Sequence, residues 1–398
     1  MGKLKYLTVC GLVVVIMVGP NLLSTESTGT ACNSLIAVDS LGNVHVIWED
    51  DSDFTGTFGW SNIVYKTMNE GSWTNLEVLS TLKLDDAVKH SVWALCLSVD
   101  DHDNVHAVWQ QNSWDGNDNY TSHIVHMIKN GSGWNEPEVY RITYGNWVAA
   151  TIDSNGGLHA IILTHILNES FIIIDKTLSY VFKHNDNWSL VSQQSWNRTF
   201  SEPVLRVDDE NVVHLVYVGD MPPPSTQFGL VHVSYDNGEW SEPFLISTES
   251  RDAAIASFAG DLHVVWCQNV LIEDYWETDV FYRALVNGDW TSLEHVSIES
   301  NKDSMNPAIA IDAQGGVHIV WSDKMNLGPA KDNEHNIFYK SKLDGEWSDV
   351  QPVSDTGGCY RSTIAVDSLG NIHSTWEGPG LHGPGIYYNC KQIGETWV

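Results

Sequence analysis

A short stretch near the start of the chain, Val38-Asp39-Ser40-Leu41-Gly42-Asn43-Val44-His45-Val46-Ile47-Trp48, returns close to its end as Val366-Asp367-Ser368-Leu369-Gly370-Asn371-Ile372-His373-Ser374-Thr375-Trp376. Between the two copies the histidine recurs as His106, His159, His214, His263 and His318, each leading a short apolar run. A second marker alternates with the first: a tryptophan at the end of a turn, at Trp73, Trp134, Trp188, Trp240, Trp290, Trp347 and Trp397. Two markers in strict sevenfold alternation define a repeat of about 50–60 residues. Units of this size cannot bury their apolar faces alone, so they stack into a solenoid, propeller or array.

Within a repeat the pattern is that of strands. The first reads as Leu35–Ser40, Val44–Asp50, Asn62–Thr67 and Trp73–Ser80, short runs rich in β-branched and aromatic residues with turn residues between them. Ser-Leu-Gly-Asn joins the first two, and Gly and Asn accept the positive φ of a tight hairpin. Four antiparallel strands taken seven times predict an all-β, seven-bladed propeller. The later blades are expected at 93–143, 146–196, 201–248, 252–298, 306–354 and 361–398. The last repeat stops where its fourth strand should begin. Pro20-Asn21-Leu22-Leu23-Ser24-Thr25-Glu26-Ser27 parallels Pro243-Phe244-Leu245-Ile246-Ser247-Thr248-Glu249-Ser250, a fourth-strand segment. Residues 20–27 are therefore expected to complete the last blade, making 20–398 one domain.

Composition narrows the setting. The formal charge of −31 on 398 residues disfavours nucleic acid and anionic membrane as partners. Lys3 and Lys5 precede an apolar run from Leu7 to Gly19, the length of a signal-peptide core rather than a spanning helix. Residues 1–19 are expected to be a signal peptide or an N-terminal membrane anchor, the one membrane contact foreseen. The mature domain is expected to be a secreted or cell-surface monomer. Cys32 and Cys359 stand at near-equivalent places before the first and last motif copies, which allows a disulfide in an oxidising compartment.

The turn Ser234-Tyr235-Asp236-Asn237-Gly238-Glu239-Trp240, echoed by Gly394-Glu395-Thr396-Trp397, resembles the Asp-box of bacterial neuraminidase repeats, Ser-x-Asp-x-Gly-x-Thr-Trp. That box is typical of sialidase-like propellers, and the resemblance covers residues 20–398. It implies a substrate face carrying the loops after each second strand, opposite the boxes. It also implies, for an enzyme, three arginines on a sialic-acid carboxylate, a Tyr–Glu nucleophile pair and an Asp acid/base. The chain has six arginines, of which Arg141, Arg251 and Arg361 lie near inter-blade connections, with Tyr360 beside the last. The family's Arg-Ile-Pro motif before the first blade is absent.

The seven histidines, His45, His106, His159, His214, His263, His318 and His373, read as scaffold, because chemistry needs one site and these occupy seven equivalent positions. Six have an aspartate six residues earlier, and blade five has Ser257. An acid–imidazole hydrogen bond across the hairpin would fix the register. Function should lie where the repeats differ. The variable segments carry Trp60, Trp114, Tyr120, Tyr275 and Trp276 among carboxylates that include Asp323. Aromatic faces beside hydrogen-bonding groups suit sugars. Asp50, Asp53, Asp115 and Asp118 are candidate Ca²⁺ ligands, and no other cofactor is implied. The leading expectation is a non-catalytic module that recognises a glycan. A glycoside hydrolase or polysaccharide lyase on the same face, and a scaffold for a cell-surface protein, are the alternatives.

Overall fold

The computed structural model describes residues 6–9, 12–15, 21–54, 61–81, 89–117, 120–142, 147–167, 173–184, 187–195, 200–221, 225–248, 250–272, 275–325, 327, 334–380 and 383–397, without side chains at 6–9, 12–15, 165–167, 173–175, 194, 200, 272 and 275. Every ordered element among them is a strand. The first blade is built from Ala31–Val38, Val44–Asp50, Asn62–Asn69 and an outer strand in two pieces, Ser72–Trp73 and Glu77–Val78. Six further antiparallel sheets repeat this order, and the first strands of successive blades pack against one another in an unbroken ring. Ahead of them, Tyr6–Val9 and Leu12–Val15 form a separate antiparallel pair. Among the described residues no helix is long and apolar enough to cross a membrane.

The ring closes as the sequence predicts. Asn21 and Leu22 pair with Tyr388 and Tyr387 of the last blade, and Leu23 N donates to Ile386 O at 2.7 Å. Leu23 is buried in the core shared by the last and first blades. The seven hydrophobic clusters each lie between two neighbouring blades. This is why the second strands, such as Val44–Asp50, are buried along their whole length on both faces.

The histidines are structural, and their geometry repeats. His45 Nε2 lies 3.4 Å from Asp39 Oδ2 and its Nδ1 lies 2.8 Å from the Tyr65 hydroxyl. Asp39 Oδ1 meanwhile accepts from the backbone N–H groups of Leu41 and Asn43, which shapes the hairpin turn. A carboxylate only accepts, so Nε2 carries the proton and Nδ1 accepts from the phenol. Five more blades repeat the Asp–His contact, at 3.0 to 3.4 Å. In blade five His263 keeps only its tyrosine, Tyr282. The third-strand residue is itself histidine in blades two and four, where His126 and His232 face His106 and His214 at 3.0 Å. Each third-strand ring then meets the turn tryptophan of the next blade: Trp134 stands edge-on to Tyr65 at 5.0 Å, and Trp73 edge-on to Tyr388 at 5.0 Å. Blade three departs from this, its Trp188 lying on Tyr140.

Two expectations are corrected. Cys32 and Cys359 are both free thiols, and the Cys359 sulfur sits 3.3 Å from Thr356 Oγ1. The inner strands also begin one to several residues earlier than the pattern suggests, at Lys89, Phe200, Ser250, Ser304 and Tyr360. Their first residues are separated from the rest by a bulge, which interrupts the alternation that marks a strand.

Candidate functional site

The bulge is the structural origin of the site. In blade one it lies between Cys32 and Leu35, so that two residues oppose the single Trp48 of the second strand. The same irregularity occurs in blades four, five, six and seven, opposite Tyr217, Trp266, Trp321 and Trp376. In each case the first bulged residue is left-handed and is not glycine: Asn33 (φ 50°), Glu202 (50°), Asp252 (51°), Asn306 (50°) and Arg361 (47°). A side chain in this conformation costs roughly 1–2 kcal/mol, and such residues cluster at functional sites. The buried aromatic opposite holds the backbone in place. Five neighbouring blades thus each present a polar residue at the mouth of the central channel, on the face where the inner strands begin. Among the described residues, the inner strands of blades two and three carry no left-handed residue.

A pocket of 350 Å³ opens there, lined by Asn33, Glu49, Trp93, Asp252, Asn306 and Arg361 among others. The indole of Trp93, near the start of the blade-two inner strand, is 46% exposed. Two glutamates follow the second-strand tryptophans of the adjacent blades one and seven. Glu377 accepts from Arg361 Nη1 at 3.2 Å and from the backbone N–H of Asn33 at 2.8 Å. Glu49 accepts from the backbone N–H of Ala94 at 3.0 Å. Burial pushes the Glu49 carboxyl up to about 7, against the lowering pull of the Ala94 N–H and the Asn33 side chain, and the Glu377 charge adds to the rise. Glu49 therefore exchanges its proton near neutral pH, with both forms present there. Burial likewise raises Asp252, whose own N–H donates to Glu202 at 2.9 Å. Cys32 lies at the same mouth; burial and then Glu49 push its thiol up to about 12, which removes it as a nucleophile at neutral pH.

The residues foreseen in the loops are dispersed. Arg361 joins the pocket, and Arg251, next to Asp252, donates from Nη2 to Thr278 Oγ1 at 2.7 Å. Arg141 lines a different pocket of 370 Å³ with Tyr140, Leu190 and Gln193. Tyr360 lies against the His335 ring at 4.6 Å. Tyr120 and Trp276 are exposed at the starts of third strands, and Trp114 is partly buried opposite Tyr120. Phe228 and Trp147 add exposed rings near strand starts on the same face. Asp323 is fully buried and accepts from Ser300, Ser304, Trp321 and Met325, so it serves the fold. Asp50 does the same through Ser27, Trp48 and Ser52. Asp53 is exposed, and Asp115 accepts from the Asn117 N–H at 2.7 Å. Trp60, Asp118 and the Tyr275 side chain lie outside the described residues. Among the described residues no three His, Cys, Asp or Glu groups form a metal-binding cluster.

Glu49, Glu377 and Asp252 escape a search of the loops because they belong to the scaffold strands. A signal existed in the pairs Trp48-Glu49 and Trp376-Glu377: of the buried second-strand tryptophans, only those of the first and last repeats, which ring closure makes neighbours, are followed by glutamate.

No protein-family model and no curated protein sequence matches the chain. Solved structures match in fold. An ulvan lyase from a new polysaccharide lyase family aligns with a TM-score of 0.56 at 10% identity, covering 94% of this chain and 98% of that one. A second polysaccharide lyase gives 0.52 at 9% identity over 97% and 94%. The intramolecular trans-sialidase of Ruminococcus gnavus gives 0.50 at 12% identity over 95% and 98%. The propeller architecture is thus one used by sialidase-like and polysaccharide-cleaving proteins.

Proposed function

We propose that this protein binds carbohydrate in the pocket at the mouth of its central channel. The observation that carries this reading is the exposed Trp93 indole on one wall, facing a ring of carboxylates, amides and one guanidinium. An indole face covers the apolar side of a pyranose, and the polar groups match its hydroxyl edge. The saccharide is uncharged at this point. Arg361 is already matched by Glu377, and the further carboxylates of Asp252 and Glu202 would repel an acidic sugar. The exposed rings of Tyr120, Trp147, Phe228 and Trp276 on the same face suit a longer chain lying across several blades. The tight turns that end in Trp240 and Trp397 support a sialidase-like origin for the repeat.

Calorimetric titration with neutral and acidic oligosaccharides tests this. Trp93→Ala should weaken binding of the neutral set about tenfold or more, at the 1–3 kcal/mol scale of a stacked ring. A preference for acidic sugars, or binding untouched by Trp93→Ala, would sink the reading.

A second reading follows from Glu49, whose carboxyl is raised to about 7 so that a protonated fraction persists near neutral pH. In glycoside hydrolysis such a group gives its proton to the leaving oxygen as the glycosidic C–O bond breaks. Asp252 would take a proton from the water that adds to the anomeric carbon. Chromatography of oligosaccharides incubated with the protein distinguishes the two readings. Cleavage lost in Glu49→Gln with binding retained would make it an enzyme, and binding without cleavage leaves it a recognition module.

A further inference from the structure

One feature of the channel mouth occurs twice, on neighbouring blades. Trp93 lies on the inner strand of blade two, Lys89–Val99, and Trp147 opens the inner strand of blade three, Trp147–Ile152. Each is 46% exposed. Trp93 pairs with Gln110 and Trp147 with Leu163, and each partner stands four residues after the histidine of its repeat, His106 or His159. The two tryptophans therefore hold the same register position, one blade apart, on inner strands that pack side by side.

Their side chains also point the same way round the ring. Cross-strand partners share a sheet face, and faces alternate along a strand. Gln110 shares its face with Val108, which packs in the core between blades two and three. Leu163 packs in the core between blades three and four. Trp93 is thus on the side of blade two toward blade three, and Trp147 on the side of blade three toward blade four. The rotation that carries one blade to the next carries one indole to the other.

The other five blades place Cys32, Ser201, Arg251, Met305 and Tyr360 at this register. Tyr360 is the one further ring among them, and it lies against His335. Among the described residues the indoles of Trp93 and Trp147 stack on no other ring and make no hydrogen bond. An indole is a large apolar surface that folding normally buries, as it does at Trp109. Two left bare at matched positions make a platform that continues round the mouth. The interface that Trp93 faces also holds the 370 Å³ pocket, where Thr164, Ser179, Gln193 and Arg141 bring hydroxyls, an amide and a guanidinium. Apolar ring faces flanked by such groups suit successive units of a sugar chain. We propose that Trp93 and Trp147 are consecutive stacking subsites for one ligand, a linear uncharged polysaccharide held along its chain from blade two to blade three and not by a single end sugar. This inference rests on the carbohydrate reading of the mouth.

Calorimetric titration of the whole protein with xylo-, manno- and cello-oligosaccharides, from the monosaccharide to the hexasaccharide, tests this. Affinity of the wild type should rise with chain length. Trp147→Ala should weaken binding of the hexasaccharide about tenfold and leave the monosaccharide unaffected, so that the gain with length disappears. Trp147→Phe keeps a ring and should restore part of that gain. Trp93→Ala should weaken binding at every length. Short and long chains weakened equally by Trp147→Ala would overturn the tandem subsites. So would no effect of Trp147→Ala on any chain while Trp93→Ala still weakens them, and in both cases the reading of the pocket itself would stand. A wild type that binds no member of the panel would overturn both. Should Trp147→Ala fail to fold, the wild-type length series and Trp147→Phe decide: a hexasaccharide bound no tighter than the monosaccharide would overturn the proposal.

Discussion

At their C-terminal ends the inner strands run into turns built alike in six blades, where an aspartate gathers backbone N–H groups and a histidine that leans on a third-strand ring. At their N-terminal ends the same strands differ from blade to blade. Five carry a left-handed residue of changing chemistry, and blades two and three carry exposed tryptophans nearby. The first end ties aspartate, histidine and turn together within six of the repeats and links blade to blade, as from Ser40 to Asp103 and from Trp134 to Glu77. The second leaves polar groups facing a pocket and keeps backbone strain. Repetition therefore marks the end that holds the ring together, and variation marks the end that can meet a ligand.

Four tests can break or sharpen this contrast. The largest effect should come from the uniform end. His318→Ala opens a cavity beside Tyr339 and removes the imidazole that Asp312 Oδ2 and the Tyr339 hydroxyl contact, and should cost about 3–5 kcal/mol in denaturant unfolding. The loss should leave saccharide affinity unchanged in the folded fraction. A cost below about 1 kcal/mol would show that the relay is not what fixes the blades.

The two histidine pairs come next. Burial lowers His126 to about 4 and His232 to about 3, from an ordinary value of 6.5. An unfolded chain would take up these protons first, so the stability they support is full above about 6.5 and drains away as pH falls toward 4. Five other blades use tyrosine here, as at Tyr65 and Tyr339. His126→Tyr with His232→Tyr should remove this loss, worth up to about 3 kcal/mol per site at the acid end, and move the acid unfolding midpoint down. An unmoved midpoint would mean that other groups control acid unfolding.

Glu49 has the opposite sign. Its carboxyl is raised to about 7, so the stability it supports is full below the usual carboxylate range and is lost as pH rises through 7. Glu49→Gln cannot ionise. It should therefore gain on the wild type above pH 7, by up to about 3 kcal/mol, while weakening the function of the pocket. Melting curves from pH 5 to 9 check this, and parallel curves for the two proteins would contradict the burial of that carboxyl.

The smallest effect isolates backbone strain at the variable end. Glu202→Gly and Glu202→Ala both remove the contact to the Asp252 N–H, but only glycine accepts φ of 50° freely. The glycine variant should be the more stable by about 1–2 kcal/mol. Equal stability would argue that the bulge carries no strain.

Much of the fold was legible because it repeats. Seven copies of two markers gave the blade count, and the echo of residues 243–250 in residues 20–27 gave the closure that Asn21 and Leu22 now show. The aspartate six residues before each histidine gave the hairpin hydrogen bond in the six blades that have it. The candidate site was far less legible. Asp50 and Asp323 looked like loop carboxylates, but each sits two residues after a buried tryptophan and accepts from its indole N–H. Glu49 and Glu377 looked like scaffold, yet Glu49 lines the pocket and Glu377 holds the Arg361 that lines it.

What the chain determined by itself is local and periodic: strand lengths, turn chemistry, the number of blades and the way the ends meet. These follow from alternation, from residues that accept positive φ, and from apolar faces that only a neighbouring copy can cover. What only the tertiary structure decided is convergence. Glu49 and Glu377 are more than three hundred residues apart in the chain, and ring closure brings both to one mouth. Whether a carboxylate there keeps its proton depends on burial and on charges supplied by other blades, and no stretch of one repeat contains that information.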